Sequence, residues 1–151
     1  MVGLEGCERD AGILDRITLG GYRLTSLPSL LGGLITALQV HPICRKVRVI
    51  ETKQFSFDQF FFKIRAEMTG EYRLQIRVYY NHGHLDYAYQ FFTDVPLMRW
   101  DNKEEFRHLA TYPHHHHDVI GDVKPSALTG DPAKDITIIL KEISVYISNQ
   151  E

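Results

Sequence analysis

The sequence has few cysteines: Cys7 and Cys44 are the only two among its 151 residues, and neither lies in a CxxC motif. This excludes the usual cysteine-based zinc sites, which need pairs of thiolate ligands at short spacing. No motif beside either cysteine is typical of a catalytic nucleophile. We expect both to be reduced thiols, because disulfides are rare in cytosolic proteins.

Long apolar segments are also missing. The longest, Leu27–Leu38, contains Gly32 and Gly33 and is shorter than the ~20 residues that a bilayer-spanning helix needs. The first ten residues carry acidic side chains where a secretory signal has a basic and then an apolar region. These features predict a cytoplasmic protein that has no membrane segment.

Several common catalytic motifs are absent, among them a Gly-rich phosphate loop, GxSxG, HExxH and an EF-hand loop. The chain also lacks internal repeats and linkers rich in Pro, Gly and Ser. Its content of 44% hydrophobic and 24% charged residues excludes general disorder. We predict a single domain over residues 24–151. Residues 1–23 form a weakly patterned extension, in which Asp10 is a candidate cap for a short helix over Ala11–Thr18.

The hydrophobic pattern predicts helices near both ends of the domain. Thr25 or Ser26 can cap a first helix, which has Pro28 in its first turn. Asp131 is the expected cap of the last helix and Pro132 its first residue. The apolar positions of the last helix recur at the spacing of one helix face: Ile136, Ile139, Leu140, Ile143 and Ile147.

Between these helices the period changes from 3.6 to two, which indicates strands. The alternation predicts strands over Arg45–Thr52, Gln59–Met68, Tyr72–Tyr80 and Leu85–Thr93. Short turns join them, and Arg99–His117 adds one or two irregular strands. We therefore predict the α+β class, as a two-layer domain whose antiparallel meander carries the N-terminal and C-terminal helices on one face.

Positive charge is concentrated in the centre of the chain. Residues 41–100 carry nine basic and six acidic side chains, whereas residues 101–151 carry five basic and nine acidic ones. Basic residues share the polar face of two predicted strands: Lys63, Arg65, Arg73 and Arg77. With Phe61 and Tyr79 on the same parity, this face is a candidate RNA-binding surface, through phosphate pairing and base stacking. Glu67 and Glu71 on that parity are also compatible with an ordinary solvated face.

The segment Thr111–Asp118 contains four consecutive histidines, at positions 114–117. Such a run is compatible with a polar loop or interface segment. Histidines also suit proton transfer near neutral pH, because their unperturbed pKa is ~6.5. In an extended chain His114 and His116 share one face, where they and Asp118 form a candidate site for a divalent transition metal. Asp101 and His108 are further candidate ligands.

The segment Arg99-Trp100-Asp101-Asn102 allows two interpretations. Asp-Asn is a common turn dipeptide, and Trp100 is then a core residue. Alternatively, the segment lies beside the histidines. Asp101 would then orient an imidazole and Arg99 would bind phosphate.

The chain resembles the TumE family of bacterial and archaeal toxin components in two segments. The first is this one, and the second, after a spacer of eight residues, is Thr111-Tyr112-Pro113-His114-His115-His116-His117. Those proteins typically show R-[YF]-D-N followed by T-F-P-H-H-K-H. The resemblance covers roughly residues 25–148 and carries over these residues: Arg99, Asp101, Asn102, Thr111, Pro113, His114, His115 and His117. Tyr112 replaces the family's Phe and His116 its Lys. Glu105 and Phe106 lie where many members have a further His-His pair.

The resemblance implies the toxin of a two-gene module, with a helix-turn-helix antitoxin as partner. If the chain is an enzyme, phosphate chemistry fits best, because Arg99 and the basic strands supply cations. We therefore predict RNA phosphodiester cleavage, or a related phosphoryl or nucleotidyl transfer. The candidate catalytic residues are Arg99, Asp101, Asn102, His114, His115 and His117. Two alternatives stay open, a non-catalytic RNA- or protein-binding module and a metal-binding protein, and a homodimer is compatible with each.

Overall fold

The computed structural model describes residues 18–19, 22–23 and 25–151. Thr18–Leu19 (β1) and Tyr22–Arg23 (β2) form a small antiparallel pair. Apart from Thr18, the short helix expected over residues 11–18 lies outside the described residues. Within the described part, no helix is long and apolar enough to cross a membrane.

Two helices and a seven-stranded sheet make up the rest of the described chain. The helices are α1 (Leu27–Gln39) and α2 (Pro132–Asn149). The strands are β3 (Cys44–Ser56), β4 (Gln59–Met68), β5 (Arg73–Asn81), β6 (His84–Phe92), β7 (Pro96–Asp101), β8 (His115–His117) and β9 (Val123–Pro125). Every neighbouring pair is antiparallel and the strand order is the chain order, which confirms the predicted meander.

The inner face of the sheet forms the hydrophobic core. Alternate residues of β4 and β5 point inward and are fully buried, as the period of two predicts. Tyr89, Phe91 and Trp100 continue this face onto β6 and β7. Burying each such side chain contributes ~1.5–3 kcal/mol.

Both helices cover this inner face, which confirms the predicted α+β class. Ser26 caps α1 by accepting a hydrogen bond from the Ser29 amide at 3.2 Å. Asp131 caps α2 in the same way through Ala133, at 3.1 Å. The predicted apolar stripe of α2 is buried at all five positions. The Trp100 indole anchors α2 to β7 by donating a 3.0 Å hydrogen bond to the Glu142 carboxylate.

The outer face of the sheet is polar and carries no helix among the described residues. One row of outer residues runs in register across five strands: Lys63, Arg77, Ala88, Asp101 and His115. Because neighbouring strands lie ~4.8 Å apart, the row is roughly 20 Å long. The antiparallel register thus connects the basic strands to the histidine segment on a single surface.

Candidate functional site

Strands β7 and β8 bring two of the sequence segments together on the outer face. Their register pairs Asp101 with His115 and Arg99 with His117. Because side chains two residues apart in a strand share a face, all four lie on the same side of the sheet. The sequence leaves this pairing open, since the thirteen residues 102–114 separate the two strands.

The Asp101 carboxylate is the centre of this group. Its side chain is only 7% exposed and accepts a 2.8 Å hydrogen bond from the Arg99 Nε atom. Its other oxygen accepts a 3.0 Å hydrogen bond from the Lys103 amide and lies 3.0 Å from His115 Nε2. A buried carboxylate needs such partners, because an unpaired charge is costly in a low-dielectric interior.

His115 is buried, with 1% of its surface exposed. Its Nδ1 lies 3.1 Å from the Pro113 carbonyl and its Nε2 faces Asp101. The Phe106 ring packs edge-on against the imidazole, with 4.7 Å between the ring centroids. These contacts hold the ring in one orientation, and the burial prevents a bound molecule from touching it.

His117 differs from His115 because 31% of its side chain is exposed. Its Nε2 lies 3.9 Å from the Asp101 Oδ2 atom, and its ring meets the His115 ring at 5.0 Å. Burial lowers the pKa of His117 below its usual value, and the neighbouring His115 lowers it further, while Asp101 acts in the opposite direction. The result is an accessible imidazole that is mainly neutral near pH 7 and can accept a proton.

His114 and His116 face the helix-covered side of the sheet. His114 stacks on Tyr87, with 2.7 Å between its Nδ1 and the Tyr87 hydroxyl. His116 stacks on Trp100 at 4.8 Å, nearly parallel. Burial lowers the pKa of both imidazoles. The structure therefore separates both rings from the outer-face group that His117 joins.

The residues predicted as metal ligands do not come together as a set. Among the described residues, His114, His116 and Asp118 form no common group, and the Asp118 carboxylate pairs with Lys124 at 2.7 Å. A different set, Asp101, His115 and His117, has ligand atoms within 4.8 Å of one another. Two imidazoles and a carboxylate suit a transition metal. The Arg99 guanidinium, which is bonded to Asp101, would repel a cation bound at this set.

Asn102 holds two strands in place. Its amide oxygen accepts a 3.0 Å hydrogen bond from the Tyr87 amide, and its amide nitrogen donates to the Leu85 carbonyl at 2.8 Å. The side chain thereby ties the end of β7 to β6. It is buried and contacts backbone groups, so its position suits alignment of Asp101.

The four basic residues predicted to bind RNA all lie on the outer face, but their surroundings differ. Arg65 donates to Gln75 at 2.7 Å, and Arg73 donates to the Thr93 carbonyl at 3.0 Å. Lys63 and Arg77 lie opposite each other, and neither forms an ion pair with another described residue. These two cations are free to meet a ligand.

A cavity of about 450 Å³ opens on the outer face beside Asp101. Arg99 and Asp101 bound it at one end, and Ala88 lies between Arg77 and Asp101 in the register. The small Ala88 side chain leaves a depression among larger neighbours.

Sequence reasoning missed two contributors to the site. Phe106 packs against both His115 and His117. Ala88 interrupts a row of long polar side chains, and only the register shows that this gap adjoins Asp101. A small residue on the polar face of a strand is a usable signal for such a cavity.

Comparison with known proteins supports one relationship. A family model described as Toxin TumE matches residues 34–147, which is about three quarters of the chain. The matched region includes the whole seven-stranded sheet, the second half of α1 and nearly all of α2. Searches of curated proteins and of solved structures found no significant match.

Proposed function

Since the chain belongs to the TumE toxin family, we propose that it is the toxin of a type II toxin–antitoxin module and that it cleaves RNA. One observation carries this proposal. An accessible imidazole, that of His117, lies beside Arg99 on the basic face of the sheet. Proton transfer and phosphate binding thus have adjacent residues on one surface.

RNA can supply its own nucleophile, which limits what the protein must provide. His117 accepts the proton of a ribose 2′-hydroxyl, and the 2′-oxygen attacks the adjacent phosphorus. The bond from phosphorus to the 5′-oxygen then breaks, and the His117 imidazolium returns its proton to that oxygen. The products are a 2′,3′-cyclic phosphate and a 5′-hydroxyl, so no further reactant is consumed.

The neighbouring residues have distinct parts in this proposal. Arg99, whose side chain is 41% exposed, binds the phosphate and stabilises the charge that develops on its oxygens. Asp101 stabilises the imidazolium formed on His117. His115 and Asn102 position Asp101 and the strand ends, because both are buried. His114 lies against Tyr87 and has no part in the step.

Purified protein and a single-stranded RNA oligonucleotide test this proposal directly. We expect cleavage that yields 2′,3′-cyclic phosphate ends, which mass spectrometry identifies. The same sequence made as DNA is the control, because it lacks the 2′-hydroxyl and should stay intact. Cleavage of both, or of neither, would contradict the proposed chemistry.

A toxin needs an inhibitor, and we propose a helix-turn-helix antitoxin as the partner. A small neighbouring gene that encodes such a protein would support this. We expect that induced expression of the chain alone slows growth and that co-expression of the antitoxin restores it. Unaffected growth of the native host would contradict the proposal that the chain is a toxin.

The group of Asp101, His115 and His117 supports a second candidate, a bound transition metal. Elemental analysis of untagged protein, purified without a nickel or cobalt column, distinguishes the two. One metal ion per chain would favour the metal-binding function. Substoichiometric metal would favour proton transfer as the role of His117.

A further inference from the structure

The cavity on the outer face extends away from Arg99 and Asp101, beyond the residues that the proposed reaction uses. Its size, about 450 Å³, lies within the range of small-molecule sites, ~300–1,000 Å³. A molecule inside it would touch Arg99, on which the scissile phosphate is proposed to lie. Its occupant is therefore a neighbour of that phosphate.

One wall of the cavity is aromatic. Phe61 and Tyr79 lie directly opposite each other on β4 and β5, and both are half-buried. The Tyr79 hydroxyl accepts a 2.8 Å hydrogen bond from Gln59, which restrains its ring. Ordered aromatic rings on a sheet surface are suited to stacking with nucleobases, because every base has a π-face.

Both signs of charge line the cavity, because Asp86, Asp101 and Glu104 lie in its wall together with the basic residues. Among these basic residues, Arg77 has no ion-pair partner in the described part of the chain. Arg77 lies opposite Lys63, so two positive charges face each other across β4 and β5. Directly opposed like charges destabilise a sheet. Neither side chain forms an ion pair within the described chain, and a bound phosphate would relieve this repulsion.

We propose that this cavity binds the nucleotide next to the scissile phosphate of single-stranded RNA. The base occupies the depression above Ala88 against the wall of Phe61 and Tyr79, and Arg77 pairs with a phosphate of that nucleotide. This inference rests on the proposed function for the identity of the polymer. Binding of the nucleotide itself is measurable without any cleavage.

Calorimetric titration with nucleoside 3′-monophosphates tests the cavity, with inorganic phosphate and free nucleosides as separate probes. We expect a 3′-monophosphate to bind at least about tenfold more tightly than either probe alone, because stacking and phosphate pairing act together. Equal affinity for inorganic phosphate would reduce the site to an anion site and overturn the proposal. Absence of nucleotide binding would overturn it as well.

Three variants locate the binding. Ala88→Leu fills the cavity and should abolish nucleotide binding, with an unchanged thermal midpoint as the check on folding. Arg77→Ala should weaken binding about tenfold. Arg48→Ala is the matched control, because Arg48 is a cation on the same face but outside the cavity, paired with Glu67 at 3.3 Å. Equal losses from Arg77→Ala and Arg48→Ala would indicate general charge attraction and contradict the site.

The two proposals fail separately in these measurements. Nucleotide binding without RNA cleavage would contradict the proposed function and leave the cavity inference standing. Cleavage by an Ala88→Leu variant that is folded and as active as the original chain would contradict the cavity inference alone.

Discussion

At the scale of single residues, exposure separates the roles of His115 and His117. They lie on the same strand face and contact the same carboxylate, but His115 is 1% exposed and His117 is 31% exposed. Only His117 can reach a bound molecule. The proposed reaction therefore assigns proton transfer to His117 and the positioning of Asp101 to His115.

His117→Ala should lower RNA cleavage by ~10²–10⁴-fold, the usual loss when a general acid or base is removed. Its partial exposure means that the thermal midpoint should hardly change. His115→Ala is the contrasting variant, because it empties a buried position and unpairs Asp101, so its midpoint should fall. Toxicity that survives His117→Ala in a growth assay would contradict the assignment.

Asp101→Asn removes the charge that holds Arg99 and His115 but keeps the oxygen that accepts from the Lys103 amide. Charged hydrogen bonds contribute more than neutral ones, so we expect the free energy of unfolding to fall by about 1–3 kcal/mol. Urea unfolding measures this change. An unchanged free energy would show that the carboxylate is not paired as described.

At the scale of elements, β8 and the residue before it form a run of partly or fully buried imidazoles. Burial lowers the pKa values of His114, His116 and His117 below 6.5. Each group binds protons more weakly in the folded than in the unfolded chain. The stability that they contribute is therefore complete above pH 6.5 and is lost as the pH falls through their folded pKa values.

We accordingly expect the thermal midpoint to decrease as the pH is lowered from about 7.5 to about 5.5. His116→Gln should make this dependence shallower. His108→Gln, at an exposed position of the loop before β8, is the matched control substitution. Glu142, whose pKa is raised by burial, acts in the opposite direction but is present in both variants. A midpoint that is independent of pH would contradict this reasoning.

Helix α2 depends on a buried carboxylate in its first turn. Asp135 is fully buried and accepts hydrogen bonds from the Thr129 amide, the Thr129 hydroxyl and the Gly130 amide, at 2.8–2.9 Å. These bonds fix the loop before the helix. Gly130 lies so close to His114 that an added Cβ atom would be 3.1 Å from the ring.

Asp135→Ala should therefore lower the free energy of unfolding by about 2–4 kcal/mol, because three donors lose their acceptor. Thr137→Ala, at an exposed position of the same helix, is the control and should change it by less than about 0.5 kcal/mol. Urea unfolding of the two variants provides the comparison. Equal effects would show that the loop is not held by Asp135.

At the scale of the whole molecule, the outer face works as one electrostatic surface. Lys63 and Arg77 are free of ion pairs among the described residues, whereas Arg73 bonds to the Thr93 carbonyl and lies over the Phe92 ring at 5.0 Å. Free cations release counterions from RNA phosphates more effectively than cations already engaged within the protein.

We expect Arg77→Ala and Lys63→Ala each to reduce the salt slope of RNA binding by about one. Arg73→Ala should reduce it less, because the Arg73 side chain is engaged within the protein. Fluorescence anisotropy with a single-stranded RNA at several salt concentrations measures the slopes. Identical slopes for all variants would remove the sheet face from RNA binding.

Periodicity was sufficient to predict most of the fold. The alternation of Gln59–Met68 and the helical stripe from Ile136 to Ile147 reappear with the predicted faces buried. Strand β9 was not predicted, because three residues are too few to show a period. A turn at the Asp-Asn pair was one of two interpretations, and Asp101 does end β7, but Asn102 is buried and bonds to β6.

What the sequence determined by itself is local: the elements, their buried faces, and the residue types able to carry phosphate chemistry. Which of the four histidines meets Asp101 was decided only by the tertiary structure, because the register of β7 with β8 depends on a loop whose closure leaves no periodic signal. Alternation along β8 turns His115 and His117 outward and His116 inward. Of these two outer rings only His117 is partly exposed. Exposure depends on contacts from residues elsewhere in the chain, such as Phe106, and these contacts form only in the folded structure.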